Sequence, residues 1–182
     1  YCEYVYQLSI ALKEEEKARD LIEQITNLLI SINSSIEADL DSSKKEVVFL
    51  PYMASMWDSL ESVWMAYMDD PDCNTYVIPI PYYEKQEDGS FGKMHYDGDK
   101  YPDYVPITSW EDYSIAESHP DVIFIHNPYD GHNRVTSVHP DFYAKNLKSN
   151  TDMLVYIPYF VSSEEVPKHL CLLPGTIYSD KV

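Results

Sequence analysis

The stretch richest in groups that could do chemistry is His126-Asn127-Pro128-Tyr129-Asp130, which follows directly on the apolar run Val122-Ile-Phe-Ile125. A histidine titrates near neutral pH, so it can take a proton or donate to a phosphate. A carboxylate close by in the chain can orient it. His126 is therefore read as a catalytic base or phosphate ligand and Asp130 as its partner, with Asn127, Tyr129 and the following His132 as substrate contacts. The alternative is a histidine that hydrogen-bonds to loop backbone.

Three other apolar runs end in a comparable way, at Pro51-Tyr52, Pro81-Tyr82-Tyr83 and Pro158-Tyr159-Phe160. A phenol combines a stacking face with a hydrogen-bonding tip, which suits a polyol, sugar or nucleotide. Tyr52 and Tyr159 join the candidate substrate contacts, and Trp57, Tyr82, Tyr83 and Phe160 complete an aromatic set that either stacks on a ligand or packs the edge. Ser55-Met-Trp-Asp58 has the form of a capping box. A helix start offers free N–H groups to an anion, and Asp58 is placed at the same edge. No glycine-rich phosphate loop or G-x-S-x-G elbow is present. Ser55 reads as a cap rather than a nucleophile. Asp97-Gly-Asp99 reads as a turn. His95, Asp97, Asp99, His132, His139 and His169 are metal-ligand types without metal-site spacing, so neither metal nor cofactor is expected.

Groups at the ends of short apolar runs need strands buried on both faces to position them. The runs near 47–50, 75–81, 122–125 and 153–157 alternate with helical patterns at 55–68, 109–118 and 140–149. That order predicts an α/β chain with a Rossmann-like, doubly wound, mainly parallel sheet. In such sheets ligands bind beyond the carboxyl ends of the strands. Glu87-Asp-Gly-Ser90 predicts a β-hairpin insertion overhanging that edge, and 104–107 a short edge strand. His119-Pro120 and His139-Pro140 mark helix boundaries.

Before residue 46 the pattern is helical. Ala18, Ile22, Ile25, Leu29, Ile32, Ile36 and Leu40 step by threes and fours. Residues 1–45 are read as a helical extension, bent near Lys13 to Lys17 if it is two helices, and 46–182 as the Rossmann-like domain. The stripe either packs on its own domain or makes a homodimer. Both chain ends look cut from a longer protein, with Gly175 to Val182 leading toward a further strand.

The chain has 182 residues, 31 of them acidic against 13 basic, for a net charge of −18. Such a surface repels nucleic acid and anionic membrane. Cys2, Cys73 and Cys171 are scattered and odd in number, as expected of reduced thiols in a cytoplasmic protein.

Several whole segments resemble a clostridial subgroup of the CDP-glycerol glycerophosphotransferase family. They are Val48-Phe-Leu-Pro-Tyr-Met-Ala-Ser-Met-Trp-Asp58, Val77-Ile-Pro-Ile-Pro-Tyr-Tyr83, Asp88-Gly-Ser-Phe-Gly92, Phe124-Ile-His-Asn-Pro-Tyr-Asp130 and Val155-Tyr-Ile-Pro-Tyr-Phe160. The similarity spans roughly 46 to 182. It implies a two-domain glycosyltransferase of the B type, active in teichoic acid or other cell-wall polymer synthesis. The amino-terminal domain would hold a polyol or glycan acceptor, and a carboxyl-terminal domain the CDP-activated donor. Residues 46–182 would be the acceptor-side domain, inactive alone, in a protein peripheral to the inner membrane face. The family's catalytic histidines lie partly in the other domain and are not carried over. His126 matches only the subgroup's own segment. The acidic composition departs from what a polyanionic acceptor calls for, and points to another surface glycan or to lost catalysis. A non-catalytic ligand-binding or interaction module that dimerises through its helices is the alternative.

Overall fold

The structure, a computed structural model, describes residues 2–11, 15–42, 44–160, 165 and 167–182. It divides into two compact units, 1–44 and 45–182. Among the described residues no helix is long and apolar enough to cross a membrane.

The first unit holds α1 (Cys2–Ala11) and α2 (Glu15–Ser42), which pack on each other. The extension is thus two helices. Residues 12–14, where part of the expected bend falls, lie outside the described residues. Ala18 is buried, and Leu21, Ile25 and Leu28 are half-buried. Farther along the same stripe Leu29, Ile32 and Ile36 stay exposed.

The second unit is built on a parallel sheet of β1 (Lys45–Leu50), β2 (Cys73–Val77), β5 (Val122–Ile125) and β7 (Met153–Tyr156), in the order β2-β1-β5-β7. Alternate residues of β1 face opposite sides. Val47 and Phe49 pack with Leu60 and Trp64 of α3 (Asp58–Met68), and Val48 and Leu50 pack with Ala144 and Leu147 of α5 (Ala144–Lys148). Helices therefore cover both faces, as a Rossmann-like sheet requires. Leu60 is fully buried, so truncating it to alanine would cost about 2–5 kcal/mol.

The hairpin β3 (Tyr82–Lys85) and β4 (Phe91–His95) turns at Gly89, which takes a φ of 83°. With β6 (Thr136–Val138) it forms a second, antiparallel sheet. The expected edge strand at 104–107 reduces to one parallel bridge, Val77 to Ile107. Helix α4 (Ile115–Ser118) is shorter than its pattern predicts. Ser109 only accepts from Glu111 N–H, whereas Ser114 caps α4 by accepting from Glu117 N–H. His119 ends α4 in the left-handed region, and His139 accepts from Asp141 N–H at the start of a 3-10 turn, as boundary residues do. The tail forms α6 (Pro174–Tyr178) before Lys181 bridges to Val155.

Candidate functional site

The chain leaves β1 for β2 on one side, and leaves β5 for β7 on the other. The strand order therefore reverses between β1 and β5, and the edge beyond their carboxyl ends is where sheets of this kind take ligands. Tyr52 and His126 flank that point, since Leu50 and Ile125 are paired and each side chain lies just beyond.

His126 is fully buried. Tyr52 N–H donates to its Nε2 at 2.9 Å, so that nitrogen carries no proton. In the neutral ring the proton is on Nδ1, facing Ser59 Oγ at 3.1 Å. Ser59 in turn donates to Met56 carbonyl at 2.8 Å. Burial, the main cause, pushes the His126 pKa down to about 4; the Met56 carbonyl and the Asp58 charge oppose it only partly. The ring is a neutral clasp holding the turn between β1 and α3.

This corrects two sequence-based assignments and decides between the alternatives left open for a third. Asp130 does not orient His126: its carboxylate accepts from Ala144 N–H at 2.9 Å. Ser55 caps no helix, because a 3-10 turn over Ala54–Met56 precedes α3 and neither helix start has a side-chain cap. Trp57 is core, stacked edge-on against Trp64 and Tyr101. The backbone at this turn is also answered from within. Ala54 N–H donates to Asp97, whose other oxygen takes Lys100 Nζ at 2.5 Å. A phosphate arriving there would meet the Asp97 and Asp58 carboxylates.

The phenols do converge. Tyr52 packs edge-on against Tyr82 and His126, with ring centroids 5.3 and 5.9 Å apart, and Tyr159 packs on His126 at 6.1 Å. Burial, then the neighbouring Tyr129 phenol, raises the Tyr159 pKa. Burial lifts Tyr156 to about 12. Tyr156 and Tyr159 are thus neutral donors and acceptors at physiological pH. Tyr52 is buried, whereas Tyr82, Tyr129 and Tyr159 are half-exposed and Phe160 is exposed. Asn127 is buried and accepts from Tyr129 N–H, which shapes the loop.

Compared with protein-family models, curated proteins and solved structures, the chain matches none.

Asp58 is exposed in the first turn of α3. Asp130 and His132 belong to a different place, a cleft of about 370 Å³ shared with Gly131, Tyr143, Lys145, Asn146, Pro174 and Tyr178. The sequence reading missed Lys145, Tyr143 and Tyr178, since only the docking of α6 on the 126–130 loop brings them together. Among the described residues no group of three or more His, Cys, Asp or Glu could hold a metal.

Proposed function

We propose that residues 45–182 are the acceptor-side domain of a glycerophosphotransferase-like enzyme of cell-surface polymer synthesis. The observation that carries this reading is the meeting of half-exposed phenols at the switch point of a parallel sheet. Phenols at that edge stack on a carbon skeleton and hydrogen-bond to its hydroxyls. The segment resemblance supplies the reaction class. An acceptor oxygen attacks the β-phosphorus of a CDP-activated donor, an O–P bond forms, and the bond to the departing CMP breaks. His126 is held by its own chain and neutral, so the hydroxyl proton leaves to a base elsewhere. This unit's share is to position the acceptor. Donor binding falls to a carboxyl-terminal nucleotide-binding domain, on the cytoplasmic side where CDP donors are made.

The test is calorimetric titration with a neutral glycan oligomer. Tyr129→Ala and Tyr159→Ala each weaken binding about tenfold, or ~1.4 kcal/mol. Equal affinity in both variants would refute the assignment. A second reading is favoured by one observation, the open apolar stripe on α2: an interaction module that self-associates through its helices.

A further inference from the structure

We propose that the cleft between the Asp130 turn, α5 and α6 binds a small hydroxylated phosphate ester, with its hydroxyl end received by Asp130 and its phosphate by Lys145 and His132. The inference is independent of the transferase reading, because it concerns a different cavity and different residues. At about 370 Å³ the cleft has the size of a small-ligand site.

Its polarity is graded. Asp130 is only 6% exposed, and among the described residues its one hydrogen bond comes from Ala144 N–H. Among the described residues the second carboxyl oxygen has no hydrogen-bond partner, it is not among the fully enclosed unpaired atoms, and Asp130 lines the cleft. That oxygen is open to a hydroxyl entering the cleft. Lys145 and His132 line the same cleft but are exposed, which places an ammonium and an imidazole toward the solvent side. In a chain with a net charge of −18, a cleft carrying Lys145 and His132 against a single carboxyl is an exception.

The walls are held by specific contacts. Lys85 Nζ donates to Gly131 carbonyl, tying the turn to β3. A side chain at Gly131 would come within 2.7 Å of the Tyr143 hydroxyl. On the other wall Gly175 N–H donates to Pro128 carbonyl at 2.9 Å, and a Cβ there would lie 2.5 Å from Pro128 Cα. Asp130 itself takes a φ of 48°, a left-handed conformation uncommon outside glycine. Backbone of that kind persists where surrounding contacts determine it, and it concentrates at ligand sites. Burial, partly offset by the Ala144 N–H, raises the carboxyl pKa. The group can therefore donate to a hydroxyl as well as accept from one.

Chemical-shift titration of the full chain with glycerol 3-phosphate, glycerol and inorganic phosphate tests the proposal. The ester shifts the amides of Gly131, Tyr143 and Tyr178 and binds at least tenfold tighter than glycerol or phosphate. Lys145→Ala and Asp130→Asn each weaken it fivefold or more. Lys93→Ala, which removes the same charge from β4, leaves it unchanged. Lys145 is exposed, so its variant keeps the test decisive should Asp130→Asn fold poorly. Absence of shifts around the cleft, phosphate binding as tightly as the ester, or wild-type affinity in Lys145→Ala would each overturn the proposal.

Discussion

His126 shows how burial decides what a reactive side chain does. Its ring joins the end of β5 to the turn after β1, and removing it strands the Tyr52 N–H and takes from the Ser59 hydroxyl, which still donates to Met56 carbonyl, one of its two partners. His126→Ala therefore costs about 3 kcal/mol, read from denaturant melts followed by tryptophan fluorescence. The pH dependence has a definite sign. The folded pKa is about 4 against 6.5 for the free side chain. The stability linked to this ring is complete above pH 6.5 and is lost as pH falls from there through 4, by about 3 kcal/mol. In His126→Gln that part of the acid sensitivity disappears. An unchanged profile would mean the folded ring takes up its proton as readily as the free side chain. Asp130 runs the opposite way, because burial raises its pKa from 3.8 to about 7. Its favourable contribution is complete below pH 3.8 and is lost as pH rises through 7. Asp130→Asn is then the more stable protein at pH 8, on the order of 2 kcal/mol, and gains nothing at pH 4. Melts of the two proteins at both pH values check this.

At the level of elements, the central parallel strands β1 and β5 were legible because they are buried on both faces, whereas β2, at the edge, is only partly buried. Such a strand must read as an unbroken apolar run, and β5 is buried at every position. Helix starts were less legible. Ser109 and Ser114 both precede acidic residues, and only Ser114 has the glutamate three residues on that its N–H bond uses. The start of α3 could not be read locally, since its shape depends on a histidine 67 residues beyond Ser59. The phenol cluster was legible because the pairs Pro51-Tyr52, Pro128-Tyr129 and Pro158-Tyr159 follow the ends of β1, β5 and β7, whereas Pro81-Tyr82 opens β3. The Asp130 cleft was not, because α6 closes it from far along the chain. That closure makes Gly175→Ala destabilising by about 2 kcal/mol or more, since backbone atoms cannot yield as a side chain could. In the first unit α1 has 10 residues and α2 has 28, so α1 is too short, at ~15 Å against ~42 Å, to cover the stripe. The stretch Gln24 to Ile36 carries no charge, which removes like-charge repulsion between copies. Sedimentation equilibrium is expected to show a reversible dimer that Ile32→Glu dissociates. A wild-type monomer at every concentration would exclude it.

Over the whole molecule, acidic charge and a phenolic rim point to a neutral or weakly charged hydroxylated partner at the switch point. They do not point to nucleic acid or to an anionic membrane. The Asp97 carboxylate accepts from Ala54 N–H at the 3-10 turn before α3, where an arriving phosphate would meet like charge, and in the proposed function donor chemistry accordingly falls to another domain. Residues 45–182 alone are then inactive toward CDP-glycerol, as a radiolabel transfer assay would show. The most direct test is a spectrum of the protein with ¹³C-labelled tyrosine rings, recorded with and without a neutral glycan oligomer. The account predicts shifts at Tyr129 and Tyr159, with none at Tyr113, whose hydroxyl bonds to Glu46 at the opposite end of β1. Rings at the rim that stay unmoved while Tyr113 responds would contradict it.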